Sequence, residues 1–343
     1  MLSKQDLSAL IRDKKVLLSL IVVVLLAFIP AFVGGPFALR ILTLIAVFTI
    51  YASSWNLLAH SGQGSLGHAL FLGIGGFASS LIAINLGVPP LLGLLLGGLF
   101  AAGFGLLIGL ACVRLKAWFL AMVTFGASVI AVAAFSALDD ITHATLGFPP
   151  IPMTPSGYSF YVLTLVIASL CVFSIYLIMN SKLGLAFKAI RENDLEARMI
   201  GIHVTKYKLI AFVISTFFAG IAGGLYVQTQ SYVDSSIFAV ENSFKPLMMS
   251  VIGGLFTIGG PIIGSAVIVA IDSFVPSVDK FLQPVLQPLF PAVSAVSPPL
   301  RMLGLGLFLI IVVIFLPKGL ISLWPKVAAF FREEPKGKTD EAK

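Results

Sequence analysis

Charge is scarce in this chain of 343 residues: Asp, Glu, Lys and Arg together make up 11%, less than half the usual share in a soluble domain. With 58% hydrophobic residues and a mean hydropathy of +1.05, that scarcity excludes an ordinary globular fold. Cysteine is limited to Cys112 and Cys171, both inside apolar runs, which excludes a disulfide framework and leaves them as small packing residues. The phosphate-binding P-loop, the HExxH zinc motif, CxxC pairs and the GxSxG nucleophile elbow are all missing, so hydrolytic and redox chemistry have no residues to stand on. His60, His68, His143 and His203 are scattered, with no second ligand at metal spacing, and no metal site or cofactor is expected in the chain. Acids are nearly absent from the apolar runs, Asp272 alone falling in one near its outer end. A carrier driven by protons or sodium ordinarily buries carboxylates at mid-membrane, so that class is disfavoured and the driving force is assigned to another chain.

What is present is a series of apolar runs. Lipid cannot satisfy open backbone groups, and the alternation of a membrane barrel is absent, so the runs are helices. The expected fold is all-α, a polytopic bundle of about ten transmembrane helices: 16–33, 37–59, 64–85, 89–112, 118–137, 160–179, 209–229, 244–257, 261–275 and 301–316. The eighth and ninth are short, which admits broken or re-entrant helices joined at Gly259, Gly260 and Pro261. The chain divides into a cytoplasmic segment 1–15, a transmembrane domain 16–316 and a cytoplasmic tail 317–343. Basic residues collect at the N-terminus, at Arg114 and Lys116, in 180–208 and in the tail, leaving Arg40, Lys245, Lys280 and Arg301 outside. This asymmetry puts both termini in the cytoplasm. It also accounts for the net charge of +7 without nucleic acid. The first run, after Lys14 and Lys15, is long for a signal peptide and ends in a poor cleavage site, so it reads as a retained anchor.

The one long hydrophilic interior segment, 180–208, reads "NSKLGLAFKAIRENDLEARMIGIHVTKYK". Asp194 and Arg198 are spaced to pair on a helix, and Leu185, Ala189 and Ile190 are expected to share a face with Met199. Gly201 reads as a helix stop and Thr205 as the cap of the next helix. The segment is either a solvated connector or a helix that docks a cytoplasmic partner. The proline-rich stretch 138–159 is either a rigid outer rim or a plain connector, and 276–299 is similar. Small residues at four-residue spacing, Gly93 with Gly97, Gly105 with Gly109, Ala219 with Gly223 and Gly220 with Gly224, serve close helix contact within this subunit or against another. Glycine-rich segments at 73–76 and 253–260 hint at a repeat with broken helices.

Several stretches resemble one family: "NLLAHSGQGSLGHALFLGIGGF" at 56–77, "FLAMVTFG" at 119–126, "GLAFKAIRENDLEARMIGIHVTKYKLIAFVISTFFAGIAGGLY" at 184–226, "MSVIGGLFTIGGPIIGS" at 249–265 and "FLPKGL" at 315–320. The chain resembles the permease subunits of branched-chain amino acid ABC transporters, the LivM type. The central block is the most specific, because its order of charges and glycines runs over some forty residues.

The resemblance implies an inner-membrane importer subunit for branched-chain or other hydrophobic amino acids. It implies as partners a second permease subunit, two cytoplasmic ABC ATPases that hold the ATP and Mg, and an extracytoplasmic solute-binding protein. Arg191, Glu192, Glu196, Ala197 and Gly201 then form the ATPase-coupling loop, with Glu196-Ala197 and Gly201 similar to a shortened EAA loop. Asn56, Gln63, Ser65, His68, Thr124 and Phe125 are candidates for the translocation path, since neutral hydrogen-bonding groups suit a site that must release a zwitterion. Gly62, Gly64, Gly67, Gly253, Gly254, Gly259, Gly260 and Pro261 are candidate breaks or hinges. A structural alternative stays open, in which the polar groups cap a broken helix. Three departures from the family pattern bear on solute identity: Val129 stands where a glutamate is frequent, Thr142-His143-Ala144 replaces Thr-Gly-Gly, and Phe256 replaces a usual glycine. A urea or short-amide permease of the same family is the nearest alternative; an ion-coupled secondary transporter and a non-transporting membrane scaffold are the others.

Overall fold

The computed structural model describes residues 35–286, apart from 113, 114, 116 and 155, and isolated positions between 306 and 322. The expected span 16–33 and the segment 1–15 lie outside the described residues, as do almost all of 301–316 and 317–343. The described chain is helical: α1 (Pro36–His60), α2 (Ala69–Leu86), α3 (Pro90–Cys112), α4 (Ala117–Ala137), the single turn α5 (Asp139–Thr142), α6 (Gly157–Met179), α7 (Lys182–Glu192), α8 (Asp194–Met199), α9 (Val204–Gln230), α10 (Val240–Gly254) and α11 (Gly260–Leu286).

Six of these, α1, α2, α3, α4, α6 and α9, are long and apolar enough to cross a membrane, so the chain is a multi-pass membrane protein. The expected count of about ten is not reproduced among the described residues. α10 has 15 residues and rises about 22 Å, short of a hydrocarbon core of about 30 Å. In α11, Gly260–Ser273 forms a shorter apolar stretch among the described residues.

α1 is the axis of the bundle. It is buried at every position from 46 to 60, as a helix surrounded by other helices must be, and α6, α9, α10 and α11 pack around it. Beside it, α2, α3 and α9 meet backbone to backbone: a Cβ on Gly75 or Gly223 would run into the main chain of Gly220 or Leu72, and one on Gly97 into the carbonyl of Gly75. The four-residue glycine spacings therefore serve contacts inside this subunit. The same finding corrects the reading of 73–76 as a break, since this segment lies within regular α2 and its glycines make room for α9. The outer faces of α3 and α4 carry exposed Leu99, Leu107, Trp118, Met122 and Ile130, a surface suited to lipid.

The helices alternate in direction, so their connections gather at two ends. At one end Arg40 Nη2 donates to Gln230 Oε1 at 2.6 Å, and Phe148 and Val233 exchange backbone hydrogen bonds of 3.0 and 2.9 Å. The stretch 138–159 is thus pinned against 231–239. There the Thr145 N–H donates to Asp139 Oδ1 at 2.7 Å, which holds the Asp139 carboxyl below its ordinary range. The other end collects the α1–α2 connection, α7 and α8, and the α10–α11 connection, and carries the candidate site.

Lys245, counted with the outer positive charges, is instead buried in α10. It pairs with Glu241 at 3.1 Å and Asp272 at 3.6 Å, with only 8% of its side chain exposed. The two acids compensate the lysine, which is how a charge persists inside a membrane bundle.

Candidate functional site

The segment 61–68 is irregular backbone, with Ser61, Gln63, Ser65, Gly67 and His68 buried and the residues between them partly so, the setting in which a bundle tolerates it. α2 begins at Ala69, five residues later than expected, because Gly62, Gly64 and Gly67 fall in this connection. Gly67 has a steric reason to be glycine: any Cβ would overlap the backbone carbonyl of Thr124 on α4. Around Gly64 nothing lies within 4 Å of such an atom.

Each polar candidate of the path has a place. Asn56, Gln63, Ser65, His68 and Thr124 are all buried, while Phe125 is half-buried. Gln63 Nε2 donates to Ser61 Oγ at 2.9 Å and to the Lys208 carbonyl at 2.8 Å. His68 Nε2 meets Ser54 Oγ at 3.0 Å, its ring stacked on Tyr51 at 5.3 Å. Thr124 Oγ1 donates to the Ala121 carbonyl within its own helix at 2.9 Å. The Ser65 carbonyl accepts from Trp55 Nε1 at 2.7 Å, whereas Ser65 Oγ and His68 Nδ1 are buried without a protein partner. Asn56, Gln63 and His68 thus make internal bonds.

Asn56 acts across a long sequence distance. Its Nδ2 donates to the Thr257 carbonyl at 2.7 Å and its Oδ1 accepts from Phe256 N–H at 3.0 Å. One side chain of α1 therefore grips the α10–α11 connection from both sides. His60, one turn on, faces the Asn56 and Phe256 carbonyls with Nδ1 and Nε2 at 2.8 and 3.1 Å. Gly253 and Gly254 close α10 and Gly260 and Pro261 open α11. Gly253 lies against the Gly260 carbonyl and Gly264 against that of Met249. Gly259 sits between them, and Thr257 Oγ1 donates to the Gly254 carbonyl while accepting from Gly260 N–H. A cavity of about 10 Å³, lined by Ser53, Asn56, His60, Met179, Ile258 and Pro261 among others, adjoins this turn. It has room for about one water, far less than an amino acid needs.

The coupling candidates form two short helices in place of one. Asn193 ends α7 and caps α8: its Oδ1 accepts from Leu195 and Glu196 N–H, and its Nδ2 donates to Glu196 Oε1 at 2.8 Å, a reciprocal cap. Asp194 and Arg198 do share α8, but the expected pair between them is not formed. Asp194 instead pairs with Lys208 of α9. Leu185 and Met199 do not share a buried face; both are exposed, and the face that packs inward is Gly184, Phe187 and Ile190. Ala197 is buried and Gly201, with φ 85°, ends α8 as expected. His203 occupies the N-cap of α9 without a side-chain cap, so Thr205 lies inside that helix. Glu192 is exposed and pairs with Arg191 at 2.6 Å. At the tip, Leu195, Met199 and Ile200 are 70%, 86% and 74% exposed, a cluster that spacing did not single out.

Sequence reasoning treated Phe256 only as a departure from pattern. Here it takes φ 62°, a conformation costing a bulky residue about 1–3 kcal/mol, and Arg191 Cζ lies 4.2 Å from its ring centre.

The family described as "Branched-chain amino acid transport system / permease component" matches residues 37–313. The chain is 26% identical over 335 residues to the high-affinity branched-chain amino acid transport system permease protein LivM of Salmonella typhimurium, covering 87% of this chain and 74% of the relative. Identity to LivM of Escherichia coli is 26% over 337 residues, covering 89% and 75%. To a probable branched-chain amino acid transport permease protein LivH of Methanocaldococcus jannaschii it is 31% over 143 residues, covering 39% and 42%. No solved structure matches the chain.

Proposed function

We take as premise that the chain belongs to the branched-chain amino acid transport permease family, and propose that it is one permease subunit of an ATP-driven importer for branched-chain or other hydrophobic amino acids in the inner membrane. Its partners are a second permease subunit, two cytoplasmic ATPases that bind ATP and Mg, and an extracytoplasmic binding protein. Both termini face the cytoplasm in this reading, and ten spans are reached when 16–33, 301–316 and the short pair α10 and α11 are counted with the six long helices.

The observation that carries the reading is the loop of α7 and α8. Three apolar side chains, Leu195, Met199 and Ile200, stand exposed on it, while Asn193 caps α8, and buried Ala197 and the Asp194–Lys208 pair hold it to α9. An exposed apolar cluster on a braced support suits docking into a groove of another protein. Arg191, Glu192, Glu196 and Gly201 belong to the support. Thr124 and Phe125 on α4 are candidates to line a path shared with the second permease. Glu241 and Asp272, both partly buried, are paired with Lys245, so they do not revive an ion-coupled carrier.

The test is purification of the tagged complex from its own membranes, with Leu195→Asp and Met199→Asp beside the wild type, and uptake of labelled leucine into vesicles loaded with ATP. The expected result is that P-loop ATPases accompany the wild type and are lost from both variants, with ATP-dependent uptake lost in parallel. A chain that comes out alone and transports under an ion gradient without ATP overturns the reading.

A further inference from the structure

Two segments distant in sequence converge on the side chain and backbone of Phe256. From α1, Asn56 accepts its N–H at 3.0 Å and His60 Nε2 faces its carbonyl at 3.1 Å. The His60 ring also meets the Phe256 ring edge to face, centroids 5.6 Å apart and planes at 83°. From α7, the Arg191 guanidinium lies 4.2 Å from the ring centre, within cation–π range. The Arg191 backbone in turn rests on Gly62, where a Cβ would stand 3.2 Å from Arg191 Cα. Phe256 itself lies between α10 and α11, at a φ that glycine would adopt freely and phenylalanine does not. A strained bulky residue held by its neighbours at such a point indicates that the ring has work to do there.

We propose that Phe256 is a positioning residue that links the α7–α8 loop to the α10–α11 hairpin, so that displacement of the loop moves the hairpin and the end of α1 together. The inference rests on the ATP-driven reading above, in which a cytoplasmic ATPase draws on that loop. Arg191 is two residues from Asn193, the joint between α7 and α8, so it follows any movement of the docking tip. Its guanidinium carries the ring of Phe256 with it, and the two hydrogen bonds of Asn56 carry α1. A competing route exists through Phe187 and Ile190, the buried side chains by which α7 packs on the bundle. That route does not involve the aromatic ring, which makes the two separable.

The experiment compares Phe256→Gly, Phe256→Tyr, Arg191→Met and the double variant Arg191→Met/Phe256→Gly in proteoliposomes containing the purified full complex. Solute moved per ATP hydrolysed is measured, and thermal melting is followed alongside. Phe256→Gly keeps the backbone donor and acceptor and relieves the positive φ, so its melting temperature is expected to be unchanged or higher. Its transport per ATP is expected to fall about three- to fivefold, the scale of one cation–π contact. Arg191→Met should reproduce that fall, the double variant should be no worse than either single one, and Phe256→Tyr should restore the wild-type ratio. A Phe256→Gly complex that melts normally and transports with wild-type stoichiometry overturns the inference while leaving the ATP-driven reading intact, as do losses that add in the double variant. Absence of ATP-dependent transport by the wild type would overturn both.

Discussion

Lys208 of α9 reaches across to Asp194 of α8, forming an ion pair in which 11% of the lysine side chain and 44% of the aspartate are exposed. The lysine backbone carbonyl, on the same residue, accepts from Gln63 in the α1–α2 connection. One residue thus joins the docking loop to the irregular segment behind it.

Asp194→Ala is therefore expected to loosen the loop and leave the lysine poorly solvated. The cost should fall between the limits for exposed and buried pairs, about 1–3 kcal/mol. Limited proteolysis of the purified chain checks this: cleavage in 180–208 should accelerate, with the membrane helices resistant. Unchanged cleavage would mean that the pair braces nothing.

Lys245→Met would leave Glu241 and Asp272 without their cation inside the bundle. Removing one partner of a buried ionic group typically costs about 3–5 kcal/mol, so a large drop in melting temperature is expected in mild detergent. Adding Asp272→Asn to that variant should recover part of the loss. A single variant as stable as the wild type would show that the cluster is well hydrated.

Gly64 and Gly67, three residues apart, should respond oppositely to alanine. At Gly67 the methyl would strike the Thr124 carbonyl, and overpacking against backbone costs about 1–3 kcal/mol or more; low yield of folded protein is expected. At Gly64 the space is open, and Gly64→Ala should be close to neutral. Equal yields of the two would contradict the placement of α4 against this connection.

Asn56→Leu removes both bonds to the α10–α11 connection and strands the Thr257 carbonyl and Phe256 N–H, each costing about 1–3 kcal/mol when buried. Asn56→Asp keeps the acceptor for Phe256 N–H and loses the donor to Thr257. Stability should rank wild type, then Asp, then Leu, as read by thermal melting. If the residue instead only touched solute, the affinity for leucine would change and stability would not.

The helices were legible because lipid forces every long apolar run into one backbone form, and the gathering of Gly62, Gly64 and Gly67 in a break followed from polar residues interrupting such a run. The partner of Asp194 was not legible. Four-residue spacing points to Arg198, which does share α8 with Asp194, but spacing along one helix cannot show that Lys208 of α9 packs back against the same carboxylate. Lys245 was misplaced because charge counting treats a lysine near a helix end as solvated, and Asp272, its partner, comes from another helix. Glycine runs at 73–76 and 253–260 look alike in composition. Only the neighbours distinguish them: α9 presses on the first, while the second ends one helix and starts another. Leu195, Met199 and Ile200 escaped notice because an apolar residue in a polar loop carries no periodic signature.

Where α2, α3 and α9 come closest, at Gly75, Gly97 and Gly223, the contacts are made by main-chain atoms across glycine. Packing built from side chains can drift, one residue growing as its neighbour shrinks. A main-chain contact has no such compensating exchange, since glycine cannot be made smaller and a carbonyl cannot be replaced. Sequence divergence in this lineage must then be channelled to the lipid-facing surfaces and the loops, and the three-helix core should behave as a fixed frame on which specificity is altered from outside.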